Sequence, residues 1–156
     1  MIGQKFPIAL LTITLLMYGC FGKSIAYDVV FVGDNCRGLP IGVREISPKD
    51  LRRLAKETKQ ESDAGIRFRY FAISRGYKAT KKHDFSVDNT FINGNTLEIR
   101  VEFSEPDQGV MLPLEPTYPC LVLAIENQIL VNAAVKNVIV FDARRREVSS
   151  FALTSQ

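Results

Sequence analysis

Residues 85–103 read FSVDNTFINGNTLEIRVEF. Phe85 and Val87 before the centre, and Leu97, Ile99, Val101 and Phe103 after it, alternate with polar residues at a period of two. That alternation marks strands with one face on a core. Asn93-Gly94 sits between the two halves. Both residues tolerate the positive φ required by hairpin turns that match strand twist. The segment therefore predicts two antiparallel strands joined by a tight turn. Glu98, Arg100 and Glu102 fall on the opposite side, which reads as a solvated sheet face. The carboxylate pairs Glu98 with Glu102 and Glu105 with Asp107 are of the type glycosidases use, but a solvated face accounts for the first without any catalysis.

Working outward, Ile66, Phe68, Tyr70 and Ala72 alternate with Arg67, Arg69 and Phe71 and predict another strand with one buried face. Ser47-Pro48-Lys49-Asp50 predicts a helix start, with a hydroxyl cap, proline at the first helical position and an acid three residues after the cap. Leu51, Leu54 and Ala55 supply its apolar face; Lys49, Arg52, Arg53, Lys56 and Lys59 supply a solvated one. Tyr27 to Val32 reads as a short strand ended by Gly33-Asp34-Asn35. After the hairpin, Pro106, Pro113, Pro116 and Pro119 with Gly109 exclude a long helix and predict an extended connection. Cys120 to Glu126, Ile129 to Ala133 and Val135 to Phe141 read as further β-type runs, with a polar tail after about Phe151. The fold class is mainly β (α+β), an antiparallel β-sheet sandwich or curled sheet with one packed helix.

Upstream of all this, Lys5 precedes an uncharged run from Phe6 to Gly22, too short for a membrane helix of roughly 20 apolar residues. Its shape is that of a signal peptide, spanning residues 1–26, with a retained anchor helix as the alternative. Two boundaries compete. Ser24-Ile25-Ala26 has the small-x-small form of an ordinary cleavage site, whereas Leu16-Met17-Tyr18-Gly19-Cys20 is similar to a lipoprotein signal ending before an acylated Cys20. Residues 27–156 then form a single β-rich domain of 130 residues, a usual size for one core. The chain is read as periplasmic or anchored to the outer membrane, touching membrane only through a lipid on Cys20.

Of three cysteines, Cys36 and Cys120 remain as an even pair. In an oxidising compartment they form a disulfide, worth about 4.5 kcal/mol in the chain-entropy treatment of the loop it closes; the alternative is two buried free thiols. The chain has 20 basic and 17 acidic groups. Cutting after Ala26 removes Lys5 and Lys23 and leaves near-neutrality, which argues against a nucleic-acid partner. Arg144-Arg145-Arg146 is the densest basic run and reads as a solvated strand end, with an anionic surface as its alternative.

Chemistry-bearing motifs are sparse. The one histidine is His83, beside Asp84; base and orienting acid can be imagined there, but no particular nucleophile is indicated. No zinc spacing and no glycine-rich phosphate loop occurs, so the reading is of a non-enzyme with no metal and no cofactor.

The order of features resembles the PrcB-like domain family, named for a subunit that stabilises a secreted bacterial protease complex. The resemblance runs over residues 35–126 and rests on Cys36-Arg37-Gly38-Leu39-Pro40, the helix with Asp50, Leu51 and Leu54, the strand to Ser74, the hairpin Asn93 to Val101, Pro106-Asp107-Gln108-Gly109, and Tyr118-Pro119-Cys120-Leu121-Val122. It departs at Lys78-Ala79-Thr80-Lys81-Lys82-His83-Asp84-Phe85, where the family carries a shorter Lys-Pro-Thr-Gly-Gly-Tyr segment; only Lys78, Thr80 and Phe85 carry over. The resemblance implies a protein partner such as an exported protease, which the domain binds and stabilises, or alternatively a hydrolase that it inhibits. The expected contact surface is the two loops 74–85 and 107–118, with Tyr77, Lys78, Thr80, Phe85, Met111, Leu112 and Tyr118 as contacts. The competing explanation for these apolar residues is that they pack beneath their own loops.

Overall fold

The computed structural model describes residues 22–55, 67–81, 83–107 and 109–153. Among the described residues, eleven strands and two helices follow in chain order: β1 (Lys23–Ser24), β2 (Asp28–Gly33), β3 (Gly42–Ile46), α1 (Pro48–Ala55), β4 (Phe68–Ser74), β5 (Lys78–Thr80), β6 (Phe85–Asn93), β7 (Thr96–Phe103), β8 (Leu114–Thr117), β9 (Cys120–Glu126), α2 (Asn127–Asn132), β10 (Asn137–Phe141) and β11 (Glu147–Ala152). They form a β-rich α+β sandwich. One sheet has the order β1-β6-β7-β10-β11, the second β2-β9-β4-β3, and β5 pairs with β8 in a separate ribbon. Every pairing is antiparallel except β10 with β7.

The core lies between the two large sheets, where Phe71, Ile73, Leu121, Leu123 and Ile125 meet Leu97, Ile99, Val101, Val138 and Val140. The other face of the second sheet is covered as well. Ile46, Tyr70, Ala72, Val122 and Ala124 pack there against Leu51 and Leu54 of α1. Strand β4 is thus buried on both faces rather than one, because α1 adds a third layer over it. The start of α1 follows local chemistry: the Asp50 amide donates to Ser47 Oγ at 3.1 Å, and Ser47 Oγ donates back to the Asp50 carboxylate at 2.8 Å. This reciprocal cap holds Asp50 below the ordinary carboxylate pKa, chiefly through the Ser47 hydroxyl.

The hairpin pairs Phe85 with Phe103 through to Asn93 with Thr96. The turn is therefore Gly94-Asn95, one residue later than Asn93-Gly94, and Gly94 holds the positive φ of 59°. Residues 129–133 are not a strand. They lie in α2 and the turn after it, with Leu130 buried in the core. The chain must cross there from β9 in one sheet to β10 in the other, and one helical turn makes the crossing. A short apolar run cannot be told from a buried helical segment by period alone.

Strand β11 runs along β10 and ends at Ala152, and residues 154–156 of the tail expected after about Phe151 lie outside the described residues. Phe151 packs against Phe71 with ring centroids 6.4 Å apart. The two sheets meet at this edge, where the Val43 amide donates to Ser149 Oγ at 3.1 Å. Gly42 next to it has φ 104° and would press a Cβ into Ser149, so glycine is required twice over. Strand β1 falls within the stretch read as leader, while residues 1–21, with the cleavage and lipidation candidates up to Cys20, lie outside the described residues. So do Lys56, Lys59 and Lys82.

Candidate functional site

One end of the sandwich is tied together by Cys36 and Cys120, which form a disulfide with Cα atoms 5.9 Å apart. Both are about 1% exposed. Backbone hydrogen bonds reinforce the knot: Tyr118 N donates to Asp34 O at 2.7 Å, Cys36 N to Tyr118 O at 3.0 Å, and Arg75 N to Pro119 O at 2.9 Å. Three connections, after β2, after β4 and before β9, are thereby fixed side by side.

On this base stands the β5–β8 ribbon, with Lys78 opposite Thr117 and Thr80 opposite Leu114. The buried Thr117 hydroxyl donates to Thr80 O at 3.2 Å. Lys81 pairs with Glu115 at 2.6 Å, and hydrogen bonding to that carboxylate raises the lysine pKa. Tyr77 meets Tyr118 edge-on at 5.8 Å, and the Arg37 guanidinium lies 5.2 Å from the Tyr118 ring centroid. The two loops read from the sequence as one surface are thus brought into direct pairing.

A polar cluster fastens the ribbon to the ends of β6 and β7. Thr80 Oγ1 lies 3.1 Å from His83 Nε2, and His83 Nδ1 lies 2.6 Å from Glu105 Oε2. Glu105 also ion-pairs with Arg75. Arg75, its side chain 7% exposed, donates to the carbonyls of Asp84 (3.1 Å) and Ser104 (3.0 Å) and lies over the Phe103 ring. Burial pushes the Glu105 pKa up, but the hydrogen bonds from Arg75 and His83 outweigh it and leave it lowered. Hydroxyl, imidazole and carboxylate stand in the order of an activated nucleophile. Arg75 pairs with the same carboxylate, and these contacts together clasp the ribbon to the ends of β6 and β7. The partner of His83 is Glu105, not Asp84.

The sequence-derived contact residues divide. Met111 is 99% and Tyr77 58% exposed; Tyr118, Lys78 and Thr80 are half-buried, and Leu112 is half-buried in a depression lined by Asp84, Glu105, Pro106 and Val110. Phe85 is a correction. It is buried in the core and stacks on Phe103 at 5.9 Å, since β6 begins with it and its parity points inward. Sequence reasoning missed Ile41 and Leu114, exposed by 76% and 85%, and the anchoring pair Arg75–Glu105. Leu114 stood between two prolines, where an exposed apolar residue leaves no periodic signal. Among the described residues ten large apolar side chains are exposed, and five of them, Ile41, Tyr77, Val110, Met111 and Leu114, belong to the ribbon and its flanking loops.

The Arg144–Arg146 run proves to be the β10–β11 turn. Asp142 Oδ1 accepts from the amides of Arg144 and Arg146, and its Oδ2 pairs with the Arg146 guanidinium at 2.7 Å. Those bonds, led by the Arg146 amide, hold the Asp142 pKa low. Among the described residues no helix is long and apolar enough to cross a membrane, and no three metal-ligating side chains cluster. No protein-family model, curated protein or solved structure matches the chain.

Proposed function

We propose that this is an exported envelope protein whose domain binds another protein, without catalysis, through the ribbon end of the sandwich. The observation that carries the reading is the concentration of exposed Ile41, Tyr77, Met111 and Leu114 on a base fixed by the disulfide and the Arg75–Glu105 clasp. Clustered apolar side chains on a rigid mount, with aromatic residues and Arg37 beside them, have the composition of a binding surface. Rigidity lowers the entropy lost on association.

The resemblance to PrcB-like domains supports an exported protease as the class of partner, and stabilisation of that protease as the effect. An inhibitor of a hydrolase is the second reading, favoured by the protrusion of Met111. The two separate in one titration. A stabiliser leaves the protease turning over and extends its half-life, whereas an inhibitor abolishes turnover at a stoichiometric ratio. The surface itself is tested by Met111→Asp with Leu114→Asp, two exposed positions, with an unchanged urea midpoint as the check on the fold; the pair should weaken partner binding at least about tenfold, as loss of two interface contacts of ordinary strength implies.

A further inference from the structure

We infer that processing of the exported chain retains residues 22–26, so that the peptidase cut falls ahead of Gly22 and not after Ala26. The inference rests on the export reading and adds where the leader ends. Ser24-Ile25-Ala26 has the residues of a cleavage site, yet the fold uses them. Lys23 and Ser24 pair with Ile92 and Phe91 at the edge of the first sheet. Ser24 Oγ donates to Asn89 Oδ1 at 3.1 Å.

Ile25 is 8% exposed and belongs to the main core. Its amide donates to Thr90 O at 3.1 Å, and its carbonyl accepts from Thr90 Oγ1 at 2.9 Å. Thr90 is fully buried. A mature chain starting at Tyr27 would lose the Ile25 side chain from the core and leave the Thr90 hydroxyl without its acceptor. Polar groups so enclosed are kept paired in native proteins. It would also bare the edge of β6, an open template for strand pairing. Of the two boundaries in the sequence, only that between Gly19 and Cys20 preserves these contacts.

The test is expression of the full-length chain in an exporting bacterial host, followed by intact mass and N-terminal peptide analysis of the envelope product. An N-terminus between residues 18 and 22 supports the inference. A start at Tyr27 overturns it while leaving a cleaved leader standing, and an intact Met1 overturns the cleaved-leader reading as well. Ala26→Trp provides a second arm, because Ala26 is exposed and a bulky residue there blocks an ordinary cleavage site. The variant should yield the same product as wild type within twofold. Accumulated precursor would show that Ala26 is the residue the peptidase reads, and the inference would fail.

Discussion

Replacing Arg75 with alanine should loosen the ribbon from the sandwich, at a cost that the contacts allow to be estimated. Four interactions go: the hydrogen bonds to Asp84 O and Ser104 O, the Glu105 ion pair, and the stack on Phe103. The Asp84 carbonyl keeps its bond from Ser104 N at 2.9 Å, so only the Ser104 carbonyl loses its donor, and the exposed residue lets water replace it. Glu105 is 55% exposed, which limits that pair to about 0.5–1 kcal/mol. A charged hydrogen bond contributes about 1.5 kcal/mol and the stack about 0.5–1 kcal/mol, for a total of about 3 kcal/mol. Urea denaturation of the oxidised protein at pH 7 should show the midpoint fall by about 1–2 M at an m-value ordinary for this size. The pH dependence supplies a second readout. The folded-state pKa of Glu105 lies below its ordinary 4.5, so the stability it contributes is present above that value and is lost as pH falls through the folded pKa. The gap between wild type and Arg75→Ala should therefore narrow as the pH falls below 4.5. A loss under 1 kcal/mol with an unchanged pH profile would refute the clasp.

Three further outcomes are expected. Replacing Cys36 and Cys120 together by alanine should cost about 4.5 kcal/mol by loop entropy, since the bridge spans 84 residues; equal thermal midpoints for the two proteins would contradict the assignment. Gly42→Ala should cost about 2–3 kcal/mol for a non-glycine residue held at positive φ against Ser149, with calorimetry as the check and a neutral result as the refutation. Thr90→Val keeps the volume but leaves the Ile25 carbonyl without its donor, so denaturant unfolding should register a loss of about 1–2 kcal/mol, and a stabilised variant would argue against β1 as part of the fold.

What could be read from the sequence was what local chemistry decides. The α1 cap needs only Ser47 and Asp50, three residues apart, and the hairpin needs alternation and a glycine. The turn moved by one because Asn93 pairs with Thr96, a register choice that the alternation of both strands sets. Features decided by distant neighbours stayed hidden. Phe71 shares its parity with Arg67 and Arg69, and only the partner sheet explains why it is buried while Arg69 pairs with Glu45 at 2.7 Å. Strand β11 places Ser149 at the sheet junction and leaves Val148 exposed, which inverts the pattern by which strands are recognised. The site was half visible. Tyr77 and Tyr118 stood out as aromatics in two loops, but their contact needs the knot made by Cys36 and Cys120. The His83–Glu105–Arg75 cluster joins residues separated by 22 and 30 positions, and no spacing rule links them.

The central claim is that the ribbon end binds a protein partner. Its most direct test is quantitative capture from the native envelope fraction by three forms of the protein: wild type, Met111→Asp with Leu114→Asp, and Val131→Asp, an exposed apolar position on α2. Wild type and the α2 variant should recover the same partner in near-stoichiometric amount while the ribbon variant recovers less than a tenth of it. Equal recovery by all three forms would contradict the claim.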